Sequence, residues 1–188
     1  MSANQPTKQP VSVVPVGPMP GGLLPWLVKH LSEVLEQPAV LAHEIPLPEG
    51  GYDSSRKQYQ GEAILEVLRQ QPQSSAGQVL GLVDADCYAP GLNFIFGQAA
   101  LGGQVAFVAL PRLRQSFLGL PDDPHIFRQR VLKEAVHELG HTWGLAHCPD
   151  QHCVMYFSNS LQDTDLKSLD FCPSCMQRGA DLTLRTGK

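Results

Sequence analysis

At 188 residues, 43% of them hydrophobic, the chain has the length and composition of one globular domain with a single sizeable core, and not those of a disordered segment. A net charge of −4 with no block of basic residues argues against nucleic acid as a partner. The apolar run from Val11 to Val16, broken by Pro15, is too short for a signal-peptide core and far too short to cross a bilayer, so a cytoplasmic protein without membrane contact is expected.

Residues 1–10 are polar, carry two prolines and are expected to form a flexible arm. The run 11–16 predicts a strand. Leu24, Leu27, Leu31, Val34 and Leu35 recur at helical spacing, with Pro25 suited to a first turn and Pro38 closing the helix. Residues 40–45 predict a second strand. Tyr59, Ala63, Ile64, Val67 and Leu68 predict a second helix, stopped by Pro72 and followed by a polar turn over 73–77. Residues 79–83 are continuously apolar, as suits a parallel strand buried on both faces. Two further β-type runs, 93–96 and 105–110, flank Gly102-Gly103, which predicts a tight reversal and one antiparallel strand at the sheet edge. Helices between the early strands imply right-handed crossovers, hence a mixed, mostly parallel α/β sheet.

A third helix starts at Asp123-Pro124, with Asp as N-cap and Pro at the first helical position. Val131, Leu132, Ala135, Val136, Leu139 and Trp143 form its apolar stripe. At about 100° per residue, His137 and His141 lie roughly opposite the centre of that stripe, and Glu138 lies about 60° around from His141. The helix can therefore bury one side on the sheet and present both histidines to a cleft.

Residues 137–147 read His-Glu-Leu-Gly-His-Thr-Trp-Gly-Leu-Ala-His. His137 and His141 share one helix face, about 6 Å apart along the axis. Gly144 lets the chain turn away, and His147 follows. Three neutral imidazoles around one zinc leave a position open for water, and a nearby carboxylate can take that water's proton. His137, His141 and His147 are the predicted ligands and Glu138 the predicted general base. Four of the seven histidines fall within residues 137–152, which disfavours chance. His30, His43 and His125 lack such company and read as ordinary polar residues. Glu134, one turn before Glu138, reads as an exposed glutamate, with an acceptor for a ligand imidazole as its other reading.

Four of the five cysteines lie within 148–175, in a stretch with little apolar material of its own. Cys148, Cys153, Cys172 and Cys175, the last two a C-x-x-C, can supply four thiolates to one closed, structural zinc. A redox dithiol and free thiols are the other readings. His152 reads as a loop residue, and Cys87 as a buried thiol. Because Cys148 follows His147 directly, a metal on the cysteines would hold the backbone beside the last histidine.

The run HELGHTWGLAHC, then CVM at 153–155 and CPSC at 172–175, resembles the archaemetzincins, a branch of the metzincin metallopeptidases. The stretch 93–113 is also similar to that family's region before its active-site helix. The resemblance implies a metzincin-like zincin fold: a twisted mixed sheet with one antiparallel edge strand, backing and active-site helices, and a small zinc-bound C-terminal subdomain. It implies one metallopeptidase domain over 11–188, with an upper subdomain over 11–146 and a lower one over 147–188. His137, His141 and His147 match the family's catalytic zinc ligands, Glu138 its general base and Met155 its Met-turn, while the four cysteines match its second zinc site. Two Zn2+ per chain, hydrolysis of extended peptide bound along the edge strand and a monomer are thus expected. Endo- and aminopeptidase action both remain open. A catalytically weak, zinc-stabilised peptide-binding or regulatory module is the alternative, and the intact Glu138 argues against it.

Overall fold

A computed structural model describes residues 9–75 and 77–186. The arm expected over 1–10 lies, apart from its last two residues, outside the described residues. The chain runs β1 (Val11–Val16), α1 (Leu23–Leu35), β2 (Ala39–Leu41), β3 (Tyr52–Asp53), β4 (Gln58–Gln60), α2 (Gly61–Arg69), β5 (Val79–Val83), β6 (Cys87–Tyr88), β7 (Gly97–Ala99), β8 (Val105–Ala109), α3 (Pro124–Thr142), α4 (Leu161–Leu166) and α5 (Pro173–Thr186). The main sheet has the order β2-β1-β5-β8-β7, parallel throughout except for β7, which pairs antiparallel with β8 at the edge.

The sheet is buried on both faces because side chains alternate along each strand. Val11, Val13, Leu80, Leu82, Ala106 and Val108 pack with Leu23, Leu27 and Leu31 of α1 and the apolar stripe of α3. Val14, Val16, Val79, Val83, Val105 and Phe107 pack instead with Ile64, Leu65 and Leu68 of α2. This two-sided burial is why β5 and β8 read as unbroken apolar runs, and why even Ser12 of β1 is buried. Among the described residues, no helix is long and apolar enough to cross a membrane.

Three expectations change in detail. The second strand is shorter than 40–45; after Leu41 the chain keeps one parallel bridge, Val16 with Ile45. Tyr59 belongs not to the second helix but to β4, part of a small sheet β3-β4-β6 that short polar strands did not announce. The edge strand is 97–99, just past the predicted run 93–96. Phe96 and Ile95 are buried there because that run tucks into the core before the chain straightens along β8.

Candidate active site and metal centre

Helix α3 carries the first part of the site. Asp123 caps it, accepting from the backbone N–H groups of His125 and Ile126, and Pro124 occupies the first turn. Val131, Ala135, Val136 and Leu139 are fully buried against the sheet. The opposite side delivers His137, Glu138 and His141 to a cleft of about 740 Å³, whose far wall is the segment through β7. At Gly144, with φ of 88°, the chain leaves the helix. The Gly144 N–H donates to His141 O at 2.9 Å, and three residues later His147 joins the cluster.

Two of the three imidazoles have their tautomers set by the backbone. His137 Nδ1 lies 2.8 Å from Val154 O, and His141 Nδ1 lies 2.6 Å from Leu145 O. A carbonyl only accepts, so each Nδ1 donates and each Nε2 keeps a lone pair. Those two Nε2 atoms face each other at 3.1 Å, an arrangement that two acceptors tolerate only around a cation. A tetrahedral zinc, with Zn–N of about 2.0–2.1 Å, sets its nitrogens about 3.3 Å apart. The ligand atoms of all three histidines lie within 4.8 Å of one another. The donor set fits a zinc ion with an open position. Burial lowers the pKa of each imidazole, that of His147 to about 4, so all three stay neutral and able to ligate at neutral pH.

Glu138 is buried against the edge strand. A Cβ on Gly97 would lie 2.6 Å from Glu138 Oε1, so the first residue of β7 must lack a side chain for the carboxylate to sit there. Burial, and then the charge of Glu134, push the Glu138 carboxyl well above its ordinary pKa, while Lys167 pulls it down.

Glu134 corrects the exposed reading. It is 2% exposed, and neither of the two imidazole Nδ1 bonds goes to it. Lys167 Nζ, fully buried, lies 2.9 Å from Glu134 Oε1, off the line of a good hydrogen bond, and the Thr164 hydroxyl donates to the same oxygen at 3.0 Å. The turn of α3 just before it grips the same segment. Arg130 forms a bidentate pair with Asp165 at 2.7 and 2.6 Å, and Lys133 donates to the carbonyls of Thr164 and Asp165. Lys167, twenty residues beyond the motif, carries no local pattern by which sequence reasoning could find it.

Cys148, Cys153, Cys172 and Cys175 converge with all four Sγ atoms within 4.8 Å. The Sγ atoms of Cys148 and Cys172 are 3.7 Å apart. A disulfide needs about 2.05 Å; sulfurs around a tetrahedral zinc, with Zn–S of about 2.3 Å, are about 3.8 Å apart. The spacing fits zinc and not a redox disulfide. The Cys172 N–H and Arg178 Nη2 donate to the sulfurs of Cys153 and Cys175, as suits thiolates. His152 is exposed and outside this cluster, and Cys87 is buried, its thiol pushed up to about 12 by burial and then by Asp86.

Between the clusters sits Met155, fully buried. Its carbonyl accepts from the Cys148 N–H at 2.9 Å, and the residue before it holds His137. A Cβ on Gly140 would lie 2.3 Å from Met155 Sδ, so the first glycine of the motif makes room for this methionine.

The architecture and the paired clusters define a zincin-type metallopeptidase. A sequence model described as Peptidase family M54 matches residues 26–179. An archaemetzincin of Methanopyrus kandleri is 44% identical over 160 residues, covering 85% of this chain and 87% of the relative. The crystal structure of archaemetzincin from that organism superposes with a TM-score of 0.83 at 38% identity, covering 95% and 97% of the two chains. That from Archaeoglobus fulgidus, complexed with malonate, gives 0.78 at 35% identity, covering 90% and 99%. The chain belongs to Peptidase family M54, the archaemetzincins.

Proposed function

We propose that the chain hydrolyses peptide bonds at the cluster of His137, His141 and His147, with Glu138 as general base. A zinc ion on these imidazoles supplies an activated water and an electrophile for the scissile carbonyl. Glu138 takes the attacking water's proton on its carboxylate and returns it to the departing amine. Burial suits this role, because a carboxyl raised towards the working pH holds a transferred proton long enough to pass it on. The edge strand β7 positions extended peptide by backbone pairing. The four cysteines hold a second, structural zinc that fixes the backbone from Cys148 to Met155, giving two Zn2+ per chain.

The observation that carries this reading is the convergence of three imidazoles and one buried carboxylate on a cleft beside an edge strand. Glu138→Ala tests it. Peptide cleavage should fall by about 10²–10⁴-fold, while zinc per chain and thermal unfolding stay as in the parent. Equal, poor cleavage of a broad peptide library by parent and variant would leave a peptide-binding module as the function.

A further inference from the structure

The charges around the cleft carry a statement about which peptides enter it. Among the described residues, the only acidic ones lining it are Glu134 and Glu138, and no Lys or Arg lines it. Lys167 takes up the Glu134 charge from below. Glu138 is 5% exposed and set back against Gly97. Among the lining residues an incoming side chain therefore meets no free counter-charge, and Arg56 beside Leu92 is engaged by the carbonyls of Leu92 and Asn93. A charged one would lose hydration without compensation.

Beside the uncharged polar side chains of Asn93, Gln98, Ser158 and Asn159, an incoming side chain meets apolar ones. Leu92, Leu101 and Phe157 line the cleft and are 43%, 66% and 40% exposed. Single exposed apolar residues are ordinary, but three on one cleft mark a binding surface. Leu92 precedes β7 in the chain and Leu101 follows it. The turn carrying Leu101 is tied to the active-site helix, the Gly102 N–H donating to His141 O at 2.9 Å. Phe157 reaches the cleft beside the histidines, its ring centroid 4.7 Å from that of His147. A peptide extended along β7 thus runs between the chain segment that carries Leu92 and the turn that carries Leu101.

We infer that the cleft selects extended peptides with uncharged, apolar side chains on both sides of the bond beside the histidines, one side met by Leu92 and the other by Leu101, with Phe157 next to His147. This specificity rests on the peptidase reading above. Burying apolar against apolar surface is favoured by about 25 cal/mol per Å², and each methylene in such a pocket discriminates about tenfold or more.

A mixed-sequence peptide library, digested by the zinc-loaded chain and read by mass spectrometry, tests it. Bonds flanked by Leu, Phe, Ile or Met should be cleaved at least about tenfold faster than those flanked by Asp, Glu, Lys or Arg. Leu101→Asp should admit Lys and Arg on one side of the bond only, and Leu92→Asp on the other side only. Cleavage indifferent to flanking charge overturns the inference, as do Asp variants that leave both preferences unchanged. If the parent cleaves no member, the peptidase reading fails, and the specificity is read from binding. Fluorescence anisotropy on the zinc-loaded Glu138→Ala variant should then show Leu- or Phe-flanked peptides at least about tenfold tighter than Asp- or Lys-flanked ones, and equal affinity overturns it.

Discussion

The two ligand clusters meet at the peptide bond between His147 and Cys148, yet they are held in different ways. Two of the three histidines ride on a 19-residue helix whose other side is buried in the main core. Their rings are aimed by backbone carbonyls, and one position of the cluster faces a cleft. Three of the four cysteines are buried, and they stand on loops and a helix start, where Val154, Met155 and Leu161 join the main core. That region is tied to the rest by sulfur convergence, by the grip of Arg130, Lys133 and Glu134, and by Met155. A site for turnover needs a rigid support and an opening. A site for structure needs closure, and four thiolates around one ion offer no open position.

The comparison can be broken first at the cysteines. Cys172→Ser with Cys175→Ser removes two of four thiolates, and zinc binding of this kind contributes about 10–16 kcal/mol to small domains. Residues 148–175 should lose order, and zinc at the histidines should fall too, because Cys148 adjoins His147. Elemental analysis per chain and near-ultraviolet circular dichroism read both effects. Full histidine-site occupancy in this variant would show the clusters to be independent.

Next comes the polar grip. Lys167→Met leaves Glu134 buried without its counter-ion, which should cost about 3–5 kcal/mol. Glu134→Gln with Lys167→Met should recover most of that loss, since a neutral pair has no charge to desolvate. Denaturant unfolding at saturating zinc measures both, and a single variant as stable as the parent would remove the ion pair from the account. A smaller effect is expected at the methionine. Gly140→Ala overpacks against Met155, at about 1–3 kcal/mol, and a midpoint shift in the same unfolding experiment checks it.

The smallest effect is pH acting on metal-free protein. Burial lowers the three imidazole pKa values, that of His147 to about 4, so the fold refuses protons that the unfolded chain accepts below about pH 6.5. The unfolded state binds more protons in that window, so stability should fall as the pH drops from about 6.5 towards 4 and be indifferent to these groups above it. Unfolding midpoints of chelator-treated protein at pH 7.5, 6 and 5 read the sign. A midpoint that rises on acidification would mean the imidazoles are not buried as neutral groups.

By itself the sequence determined the elements with strong local patterns. Asp123-Pro124 marks a helix start by its own capping chemistry, and the unbroken apolar run at β5 reads as a strand buried on both faces. It also determined the spacing of the histidines, because four residues on a helix and three past a glycine are distances that local geometry sets. Tertiary structure decided what depends on contacts between distant segments. The edge strand fell at 97–99 because pairing with β8, and not side-chain pattern, places it. Gly97 and Gly140 acquired their purposes only when Glu138 and Met155 packed against them. Glu134 changed from a surface acid to a buried one because Lys167, which no short-range signal marks, is brought beneath it by the fold of the cysteine-bound region.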